Sequence, residues 1–247
     1  MMKRVLIIQA RMTSKRLPGK VMMDIAGKPM LTRLVERLRQ CRSVNEIVIA
    51  TTTNNSDDPI VDVARQEQVA WFRGSEHDVL SRFVGAARQA KAEVVVRVTA
   101  DCPLIDPAVT DRVVEELVEN ATKCDYASNV LRRTFPRGLD VEAFFWDVLL
   151  RIDRLAQSQP AREHVTLVPR SERRDLFLCR SVEDDQDNSD LRWTVDTAAD
   201  LELVRALYKA LNMDARVAYY PEILAYVREH SELAHMNADV KTWEPPI

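Results

Sequence analysis

Four cations lie within ten residues near the start of the chain, where the sequence predicts the end of a buried strand. They are Arg11, Lys15, Arg16 and Lys20. Arginine offers a planar fork to phosphate oxygens, whereas lysine supplies a mobile point charge, so a mixture of both suits a group whose charge redistributes during a reaction. We therefore expect segment 10–20 to bind an anionic ligand, and a triphosphate fits this pattern.

The same segment contains Gly19-Lys20, the pair that also ends the phosphate-binding loop of many NTPases. That loop requires a glycine five positions before Gly19 and a serine or threonine after Lys20. This chain has Ser14 and Val21 at those positions, which excludes an NTPase of that class. The segment nevertheless follows the first strand of an open sheet, the edge at which such folds bind their ligands.

Two aspartates follow predicted strands at distant points of the sequence. Asp101 stands in Thr-Ala-Asp-Cys-Pro, and Asp196 follows a strand that we predict over 192–195. Helix capping would explain Asp196, but Thr197 with Asp200 three residues later resembles a capping box that does this. Converging carboxylates suit Mg²⁺, which completes its shell with water and phosphate oxygens. Because aspartate is also common in ordinary turns, spacing alone leaves both interpretations open.

The elements that must position these residues alternate regularly through the first half of the chain. Apolar runs of strand length occupy 5–9, 46–51, 69–73 and 94–99, and segments of helical periodicity follow at 30–38, 59–66, 77–89 and from 107. Continuous apolar strands are typical of sheets buried on both faces, and strand–helix alternation implies parallel crossovers. We predict an α/β fold with a mostly parallel central sheet.

The regular alternation fails after residue 126. Short strand-like pieces at 141–145 and 176–182 mix with helical ones, until a clear helix continues to Leu211. We interpret the chain as a single domain over 1–247. Within it we expect 126–190 to be an inserted, smaller mixed α+β lobe that covers the site or mediates dimerisation.

Basic charge is concentrated at the start of the chain. The formal net charge is −3, yet residues 1–42 carry eleven Lys and Arg against two acidic residues. The overall balance argues against a protein that binds nucleic acid over its whole surface. Outside segment 10–20 we expect the helical cations Arg33, Arg37, Arg39 and Arg42 to form a solvated face.

The cysteine and glycine content narrows further the classes of protein to which this chain could belong. The four cysteines form no CxxC pair and no zinc spacing, and the longest apolar runs are strand-sized. We expect a reduced, cytoplasmic protein without a membrane span, in which Cys102 is a small buried filler. Only five glycines occur in 247 residues, which leaves little room for a multi-glycine dinucleotide loop.

A series of ordered motifs resembles a known family. The opening Ile-Gln-Ala-Arg-Met-Thr-Ser-Lys-Arg-Leu-Pro-Gly-Lys at 8–20, with Gly-Lys-Pro-Met at 27–30, resembles the cytidylyltransferases that activate acidic sugars, the 3-deoxy-manno-octulosonate (KDO) enzyme among them. The motifs similar to the narrower branch of the spore coat polysaccharide biosynthesis protein F lie at 73–80, 99–107, 125–129, 138–142, 162–166 and 192–196. The resemblance spans residue 5 to about 211, nearly the whole chain.

The resemblance implies a Rossmann-like nucleotide-diphosphosugar transferase fold that binds CTP and Mg²⁺ and forms a homodimer. It assigns the triphosphate to Arg11, Arg16 and Lys20, with Ser14 beside them, and the base to the backbone of Ala10. The resemblance assigns the metal to Asp101 and Asp196. The catalytic residues that it implies are these two aspartates, Arg11 and Lys20. Gly74 and Ser75 are assigned to the cytidine. The residues implied around the sugar are Asn129, Asp140, Glu142, Glu163 and His164.

The implied reaction transfers CMP from CTP to a hydroxyl of an acidic sugar and releases pyrophosphate, for surface or spore coat polysaccharide. KDO enzymes have Gly-Asp-Glu-Pro where this chain has Ala-Asp-Cys-Pro, which places KDO itself in doubt as the sugar. The sugar's carboxylate needs a cation. The candidates from the sequence are Arg132, Arg133, Arg137 and Arg162.

Two other functions stay open at this point. A glycosyltransferase of similar fold would usually show Asp-x-Asp after a central strand, but Cys102 and Pro103 follow Asp101. The pattern occurs only at 185–187, within an acidic segment that we expect to be a solvated loop. A nucleotide-binding relative without catalytic activity is the third interpretation.

Overall fold

Seven strands form one central sheet in the computed structural model, which describes residues 2–241; the tail 243–247, expected to be an ordinary terminus, lies outside them. The sheet strands are β1 (Arg4–Gln9), β4 (Glu46–Thr52), β5 (Ala70–Gly74), β6 (Val94–Thr99), β7 (Tyr126–Ser128), β8 (Glu142–Phe145) and β9 (Cys179–Ser181), and a small hairpin joins β2 (Asp24–Ile25) to β3 (Lys28–Pro29). The sheet order is β5-β4-β1-β6-β8-β7-β9, and β8 alone runs against its neighbours. The mostly parallel α/β sheet predicted from the sequence is confirmed.

The helices cover both faces of this sheet. They are α1 (Met30–Leu38), α2 (Asp58–Gln66), α3 (Val79–Gln89), α4 (Pro107–Glu119), α5 (Trp146–Leu155), α6 (Gln159–His164), α7 (Ala198–Ala210), α8 (Tyr220–Glu229) and α9 (Ser231–His235). Alternate residues of β1 point to opposite faces, so Leu6 and Ile8 join one apolar cluster while Val5 and Ile7 join the other. Within 2–241, no helix is both long and apolar enough to cross a membrane.

The prediction of a strand over 192–195 is wrong. The segment is extended, but its N–H groups are divided between two different parts of the chain. The Trp193 N–H donates to the Arg137 carbonyl at 2.6 Å, and the Val195 N–H donates to the Asp101 carbonyl at 2.8 Å. No continuous ladder forms with either, and only an isolated bridge joins Arg137 to Arg192.

Segment 126–190 contributes β7, β8 and β9 together with α5 and α6, so it mixes strands and helices. Its strands extend the central sheet beyond β6. β7 and β8 pair in the antiparallel direction without a helix between them, which explains why the regular strand–helix alternation stops here. The role of this segment in sugar binding or dimerisation stays a prediction.

Two of the cations expected on a solvated face of α1 are buried. Arg39 and Arg42 are exposed, but Arg33 and Arg37 are only 3% and 2% exposed. Carbonyl groups of neighbouring loops accept their N–H groups, and the Arg37 Nε, for example, donates to the Ile105 carbonyl at 2.7 Å. Periodicity alone could not show this, because the partners are backbone carbonyls of other segments, the hairpin of β2 and β3 for Arg33 and the loop before α4 for Arg37.

Gly138 lies where the chain passes the segment before α7. Its φ is +109°, and a Cβ placed on it would lie 2.5 Å from the Thr194 nitrogen and 2.6 Å from the Trp193 carbonyl carbon. Gly27 also has a positive φ, of +83°, but open space surrounds it. The two glycines therefore separate the cost of backbone strain from that of a steric clash.

We expect Gly138→Ala to lower the free energy of unfolding by at least about 3 kcal/mol, because backbone strain and overlap add. Gly27→Ala is the matched control and should lower it by only about 1–2 kcal/mol, from strain alone. Urea unfolding followed by circular dichroism measures both. Equal losses in the two variants would contradict the close approach described here.

Candidate active site

The cation-rich loop at 10–20 leaves β1 at the carboxyl edge of the sheet and closes on itself. The Met12 carbonyl accepts hydrogen bonds from the N–H groups of Ser14, at 3.0 Å, and Gly19, at 2.9 Å. Gly19 has a φ of +71°, a left-handed conformation that glycine adopts without a Cβ clash. This turn starts a short 3₁₀ helix whose first residue is Lys20.

A fully buried carboxylate anchors the start of this loop. Asp57 accepts from the Met12 N–H at 2.9 Å through Oδ1. Its Oδ2 accepts from the hydroxyls of Thr51 and Thr52, at the end of β4, at 3.0 and 2.6 Å. Sequence analysis missed Asp57, although the run of polar residues after β4 was a signal for it.

Lys20 is the centre of the site. Its side chain is largely buried, and its ammonium donates to Asp101 Oδ2 at 2.9 Å, to Asp196 Oδ1 at 2.9 Å and to the Val195 carbonyl at 2.8 Å. Three acceptors match the three N–H groups of an ammonium. The structure therefore brings together the loop after β1, the loop after β6 and the segment before α7.

The charges of Lys20 and Asp101 support each other. Burial acts to raise the pKa of Asp101, but the Lys20 charge and the Thr99 hydroxyl, which donates at 2.6 Å, lower that pKa to about 2. Burial acts to lower the pKa of Lys20, but Asp101 and Asp196 raise it above its ordinary value. Both groups are therefore charged at neutral pH.

Asp196 contacts more cationic side chains than Asp101 does. Its Oδ2 accepts from Arg16 at 2.8 Å and from Arg192 at 2.6 Å. The predicted capping box is present: the Thr197 hydroxyl and the Asp200 carboxylate each accept from the other's backbone N–H. This arrangement caps α7 and leaves the Asp196 carboxylate to face Lys20.

The two aspartates fit a divalent cation. Both carboxylates contact one ammonium, so they lie close together, and an ionised carboxylate retains lone pairs after one such contact. Within 2–241, no group of three or more His, Cys, Asp or Glu side chains is arranged to hold a metal. An ion bound by two carboxylates that needs water and phosphate oxygens for the rest of its shell matches Mg²⁺.

The backbone positions expected to meet the base lie at adjacent strand ends. The Ala10 N–H already donates to the Ala50 carbonyl at 3.1 Å, so only the carbonyl of Ala10 is left for a base. Gly74 ends β5, next to β4, and Ser75 follows it at the surface. Loops after β1, β4 and β5 therefore line one side of the site.

Glu76 ties these three loops together. Its carboxylate accepts from the Thr13 hydroxyl at 2.5 Å and from the Asn54 amide at 2.6 Å. These two hydrogen bonds lower the pKa of Glu76. Beneath it, the buried Arg82 donates to the Ser75 carbonyl at 2.6 Å. The sequence analysis missed Glu76 and Arg82, which lie beside predicted site residues.

Arg11 points from the loop at 10–20 toward the end of α6. Its Nη2 lies 3.8 Å from Glu163 Oε1, and both side chains are partly exposed. A residue predicted to bind phosphate is therefore next to a residue predicted to bind sugar. The two predicted subsites share an edge at this contact.

Asn129 does not face a ligand, contrary to expectation. It is 1% exposed, its Nδ2 donates to the Leu139 carbonyl at 2.6 Å, and its Oδ1 accepts from the Val141 N–H at 2.9 Å. Its amide is used to join the ends of β7 and β8. Asp140 remains accessible, with its carboxylate held by Arg133 at 2.7 and 2.8 Å.

Glu142 is also buried, so direct contact with a sugar is excluded in this conformation. The Thr166 hydroxyl donates to it at 2.6 Å, and the Tyr126 hydroxyl and the Arg97 guanidinium also contact it. Burial acts to raise the pKa of Glu142, but Arg97 and then Arg170 lower it below its ordinary value. Glu142 is the buried counter-ion of a cationic cluster.

His164 lies at the end of α6, before a strained turn. Val165 has a φ of +54° and a ψ of −59°, and the Thr166 N–H donates to the His164 carbonyl at 2.5 Å. This is the rare γ-turn with positive φ, and a β-branched residue there is a true outlier. Such strain clusters at functional sites. Burial lowers the pKa of His164, so its imidazole is neutral at pH 7.

Comparison with known proteins gives a consistent result. A family model described as Cytidylyltransferase matches residues 5–216. An uncharacterized protein of Methanocaldococcus jannaschii is 34% identical over 245 residues, or 97% of this chain and 96% of that protein. The spore coat polysaccharide biosynthesis protein SpsF of Bacillus subtilis is 33% identical over 210 residues, or 82% of this chain and 85% of SpsF.

A 3-deoxy-manno-octulosonate cytidylyltransferase of Geobacter sulfurreducens is 39% identical over 116 residues, 46% of this chain and 45% of that enzyme. Among solved structures, a cytidylyltransferase from Leptospira borgpetersenii superposes with a TM-score of 0.89 and 28% identity, over 99% of this chain and 100% of that one. A CMP-KDO synthetase complexed with CTP superposes with a TM-score of 0.66 over 84% of this chain and 99% of that one. Its 22% identity makes this a likeness of fold alone.

Replacing Lys20 by methionine should reverse part of the pH dependence of stability. In the wild type, Asp101 has a pKa of about 2, below its ordinary 3.8, so its contribution is present above about pH 4 and is lost toward pH 2. In Lys20→Met, burial acts without Lys20's opposition and raises the pKa of Asp101. That variant should therefore gain stability, relative to wild type, as the pH falls from about 7 to about 4.

Urea midpoints at the two pH values measure this effect. Lys28→Met is the control, because Lys28 forms an exposed pair with Glu36 at the surface. It should follow the wild-type pH dependence. A Lys20→Met protein that also follows it would show that the ammonium does not hold the two carboxylates in their charged forms.

Proposed function

This chain belongs to the cytidylyltransferase family, and we propose that it transfers CMP from CTP to the hydroxyl of an acidic sugar with release of pyrophosphate. The family resemblance expected from the motifs is confirmed by the match over 5–216. The chain is thus a nucleotidyltransferase, with CTP as its substrate. The sugar, the residues that act and the metal are the proposed part.

The observation that carries this proposal is the Lys20 ammonium, shared at 2.9 Å by Asp101 and Asp196. A CTP triphosphate placed here would meet Lys20 and Arg16 together with a pair of carboxylates able to hold Mg²⁺. Arg16 is about half exposed, so its side chain has the freedom to exchange Asp196 for a phosphate. Bound Mg²⁺ would neutralise phosphate charge beside the reacting phosphorus.

The reaction forms a bond between the sugar hydroxyl oxygen and the α-phosphorus and breaks the bond from that phosphorus to the bridging oxygen of the leaving group. Pyrophosphate departs with the electron pair. Positioning and charge neutralisation supply most of the catalysis, because negative charge develops on phosphoryl oxygens. Arg11, Arg16 and Lys20 are the chain's own groups for this task.

The hydroxyl proton needs an acceptor, and His164 is the proposed one. Its imidazole is half-buried and neutral, and it follows Glu163, the residue that contacts Arg11. The α6 end that carries it is therefore beside the phosphate-binding loop. A neutral imidazole with a lowered pKa is able to accept a proton at pH 7.

The printed names of two relatives support our proposal for the sugar class and the biological setting. SpsF is named for spore coat polysaccharide, and the Geobacter enzyme is named for KDO. We propose a role in surface or spore coat polysaccharide, with an acidic sugar other than KDO, since Ala-Asp-Cys-Pro at 100–103 departs from the KDO pattern. We further propose a cytoplasmic homodimer in which segment 126–190 mediates association.

The glycosyltransferase interpretation lacks support from the site. The Asp-x-Asp pattern at 185–187 is exposed, and Asp187 accepts a hydrogen bond from the Ser189 N–H at 2.9 Å within its own loop. The third interpretation, a relative without turnover, conflicts with the presence of Lys20, Asp101 and Asp196 in one contact. Cytidylyl transfer accounts for all three.

Pyrophosphate release with CTP, UTP, ATP and GTP, each with Mg²⁺ and a panel of sugar acids, tests the proposal. We expect release with CTP, loss of it with EDTA, and no comparable rate with the other nucleotides. Thermal shift supplies a parallel measurement, because a ligand at a hundred times its Kd adds about 2.7 kcal/mol of stability. Stronger stabilisation by UTP or a UDP-sugar would favour the glycosyltransferase.

Asp101→Asn should slow this reaction at least about a hundredfold while the fold is kept, because one charge of the site is removed. Circular dichroism verifies the fold. Lys28→Met, at an exposed cation outside the site, is the control and should retain wild-type rates. Near wild-type turnover in Asp101→Asn would remove this residue from the mechanism.

His164 gives a separate, pH-dependent prediction. The pKa of His164 is lowered from 6.5, so wild-type kcat/KM should fall as the pH drops through a value below about 6.5 and be level above it. His164→Asn should lower kcat about 10²- to 10⁴-fold and remove that acid limb. The exposed His77, replaced in the same way, should change neither. An unchanged acid limb in His164→Asn would assign the proton elsewhere.

A further inference from the structure

We infer that Arg170, supported by Arg97, binds the carboxylate of the acceptor sugar; this inference rests on the proposed cytidylyl transfer. Neither residue was among the candidates drawn from the sequence. Arg97 lies on β6, the strand that leads to Asp101, and Arg170 lies in the π-helical turn Val168–Glu172. The argument depends on their contacts and on the charge that those contacts leave uncompensated.

Arg97 is largely buried and only partly satisfied. One edge of its guanidinium forms an ion pair with Glu142, and Nη2 donates to the Gln9 Oε1 at 3.3 Å. Its Nε is buried and has no hydrogen-bond partner among residues 2–241. A buried donor without an acceptor is costly unless a ligand or water supplies one.

Arg170 is less restrained than Arg97. Its side chain is 28% exposed, and the nearest carboxylate is Glu142 at 4.0 Å, a loose contact for an arginine. In the described part of the chain, no hydrogen bond to its guanidinium is found. A planar fork of this kind forms its strongest contacts with a carboxylate held by two parallel hydrogen bonds.

The charges of this cluster do not balance. Arg97 and Arg170 contribute two positive charges, and Glu142 contributes one negative charge. The adjacent His164 is neutral at pH 7, and Glu163 has Arg11 as its own partner. One positive charge therefore remains, and a ligand with a single carboxylate would neutralise it.

The cluster adjoins the nucleotide end of the site. Gln9, which accepts from Arg97, is the last residue of β1, directly before the loop at 10–20. Thr99 stands two residues after Arg97 on the same face of β6, and it donates to Asp101. Two residues of a strand span about 6.6 Å, so the cluster is one side chain away from the aspartates.

The chemistry of the acceptor requires this neighbourhood. In a 2-keto sugar acid in its ring form, the carboxylate and the anomeric hydroxyl are attached to the same carbon. The partner of the carboxylate must therefore lie beside the acceptor of the hydroxyl proton. Arg170 and His164 meet this condition, because Thr166 joins them: its N–H donates to the His164 carbonyl, and its hydroxyl donates to Glu142, which Arg170 contacts at 4.0 Å.

Three of the four arginines that the sequence suggested for the carboxylate are less suited to it than Arg170. Arg162 donates to Asp78 and Asp153 at 2.6 and 2.7 Å. Arg133 forms a two-fold pair with Asp140. Arg132 is highly exposed, so solvent would screen its charge.

The strained turn explains how Arg170 reaches the cluster. After the γ-turn at Val165, the Arg170 N–H donates to the Thr166 carbonyl at 3.1 Å, and the chain continues as a π-helical turn. The Thr166 hydroxyl donates to Glu142, which attaches the turn to β8. The strained turn at Val165 and the buried Glu142 carboxylate thus hold Arg170 beside β8.

The test uses N-acetylneuraminate, or whichever sugar acid of the panel above wild type uses fastest, and compares it with its methyl ester as acceptor for CTP, for wild type and Arg170→Gln. The ester keeps the sugar and removes the charge. We expect Arg170→Gln to raise the KM for the acid about ten- to hundredfold, with the KM for CTP unchanged. The KM for the ester should differ less than twofold between wild type and variant, and Arg170→Lys should recover part of the loss.

Arg173→Gln is the matched control, because Arg173 lies three residues further along and is half exposed beside Asp175. It should behave as wild type with both acceptors. Equal losses for acid and ester in Arg170→Gln would overturn the inference, and so would an unchanged KM for the acid. Efficient transfer of CMP to N-acetylmannosamine, a neutral sugar, would also overturn the inference. Absence of pyrophosphate release from CTP in every variant, wild type included, would instead refute the proposed function on which the inference rests.

Discussion

One ammonium group holds the catalytic edge of this protein together. Lys20 satisfies its three N–H groups with two carboxylates and a carbonyl, and the loops that supply them come from widely separated parts of the chain. Without a cation at this point, two buried negative charges would face each other, which is expensive in a low-dielectric environment. The same cation is available to phosphate oxygens, so the group that organises the site is also suited to its proposed ligand.

The surrounding structure makes this contact possible by fixing each partner independently. Asp57 attaches the loop after β1 to the end of β4, and the capping box at Thr197 and Asp200 fixes the start of α7. Thr99 holds the Asp101 carboxylate from the preceding strand. Each anchor consists of direct hydrogen bonds, and together they bring three segments to one point.

The sequence predicted the regular half of the fold and the cationic loop, because apolar periodicity and capping signals are local. It also named Asp101, which follows the end of β6, and Asp196, although the segment before Asp196 is extended without being a strand. It did not predict that Arg33 and Arg37 are buried, since their acceptors are backbone carbonyls of other segments, nor that Asn129 and Glu142 are buried within the fold. The same limit applies to Arg97, Arg170 and Glu76, whose partners lie on other elements and leave no local pattern.

The antiparallel direction of β8 brings two different kinds of segment to the ligand edge of the sheet. In a purely parallel sheet, only segments that follow strands reach the ligand edge, but here a segment that precedes a strand reaches it as well. The loops after β1, β4, β5 and β6 carry most of the residues proposed for the nucleotide, whereas β8 and the turn after α6 carry Glu142 and Arg170 of the proposed acceptor cluster. Neither β8 nor that turn supplies a partner of the Lys20 ammonium, whose acceptors lie in the loop after β6 and in the segment before α7. The fold can therefore change the residues around the proposed acceptor while the contacts of Lys20 stay the same.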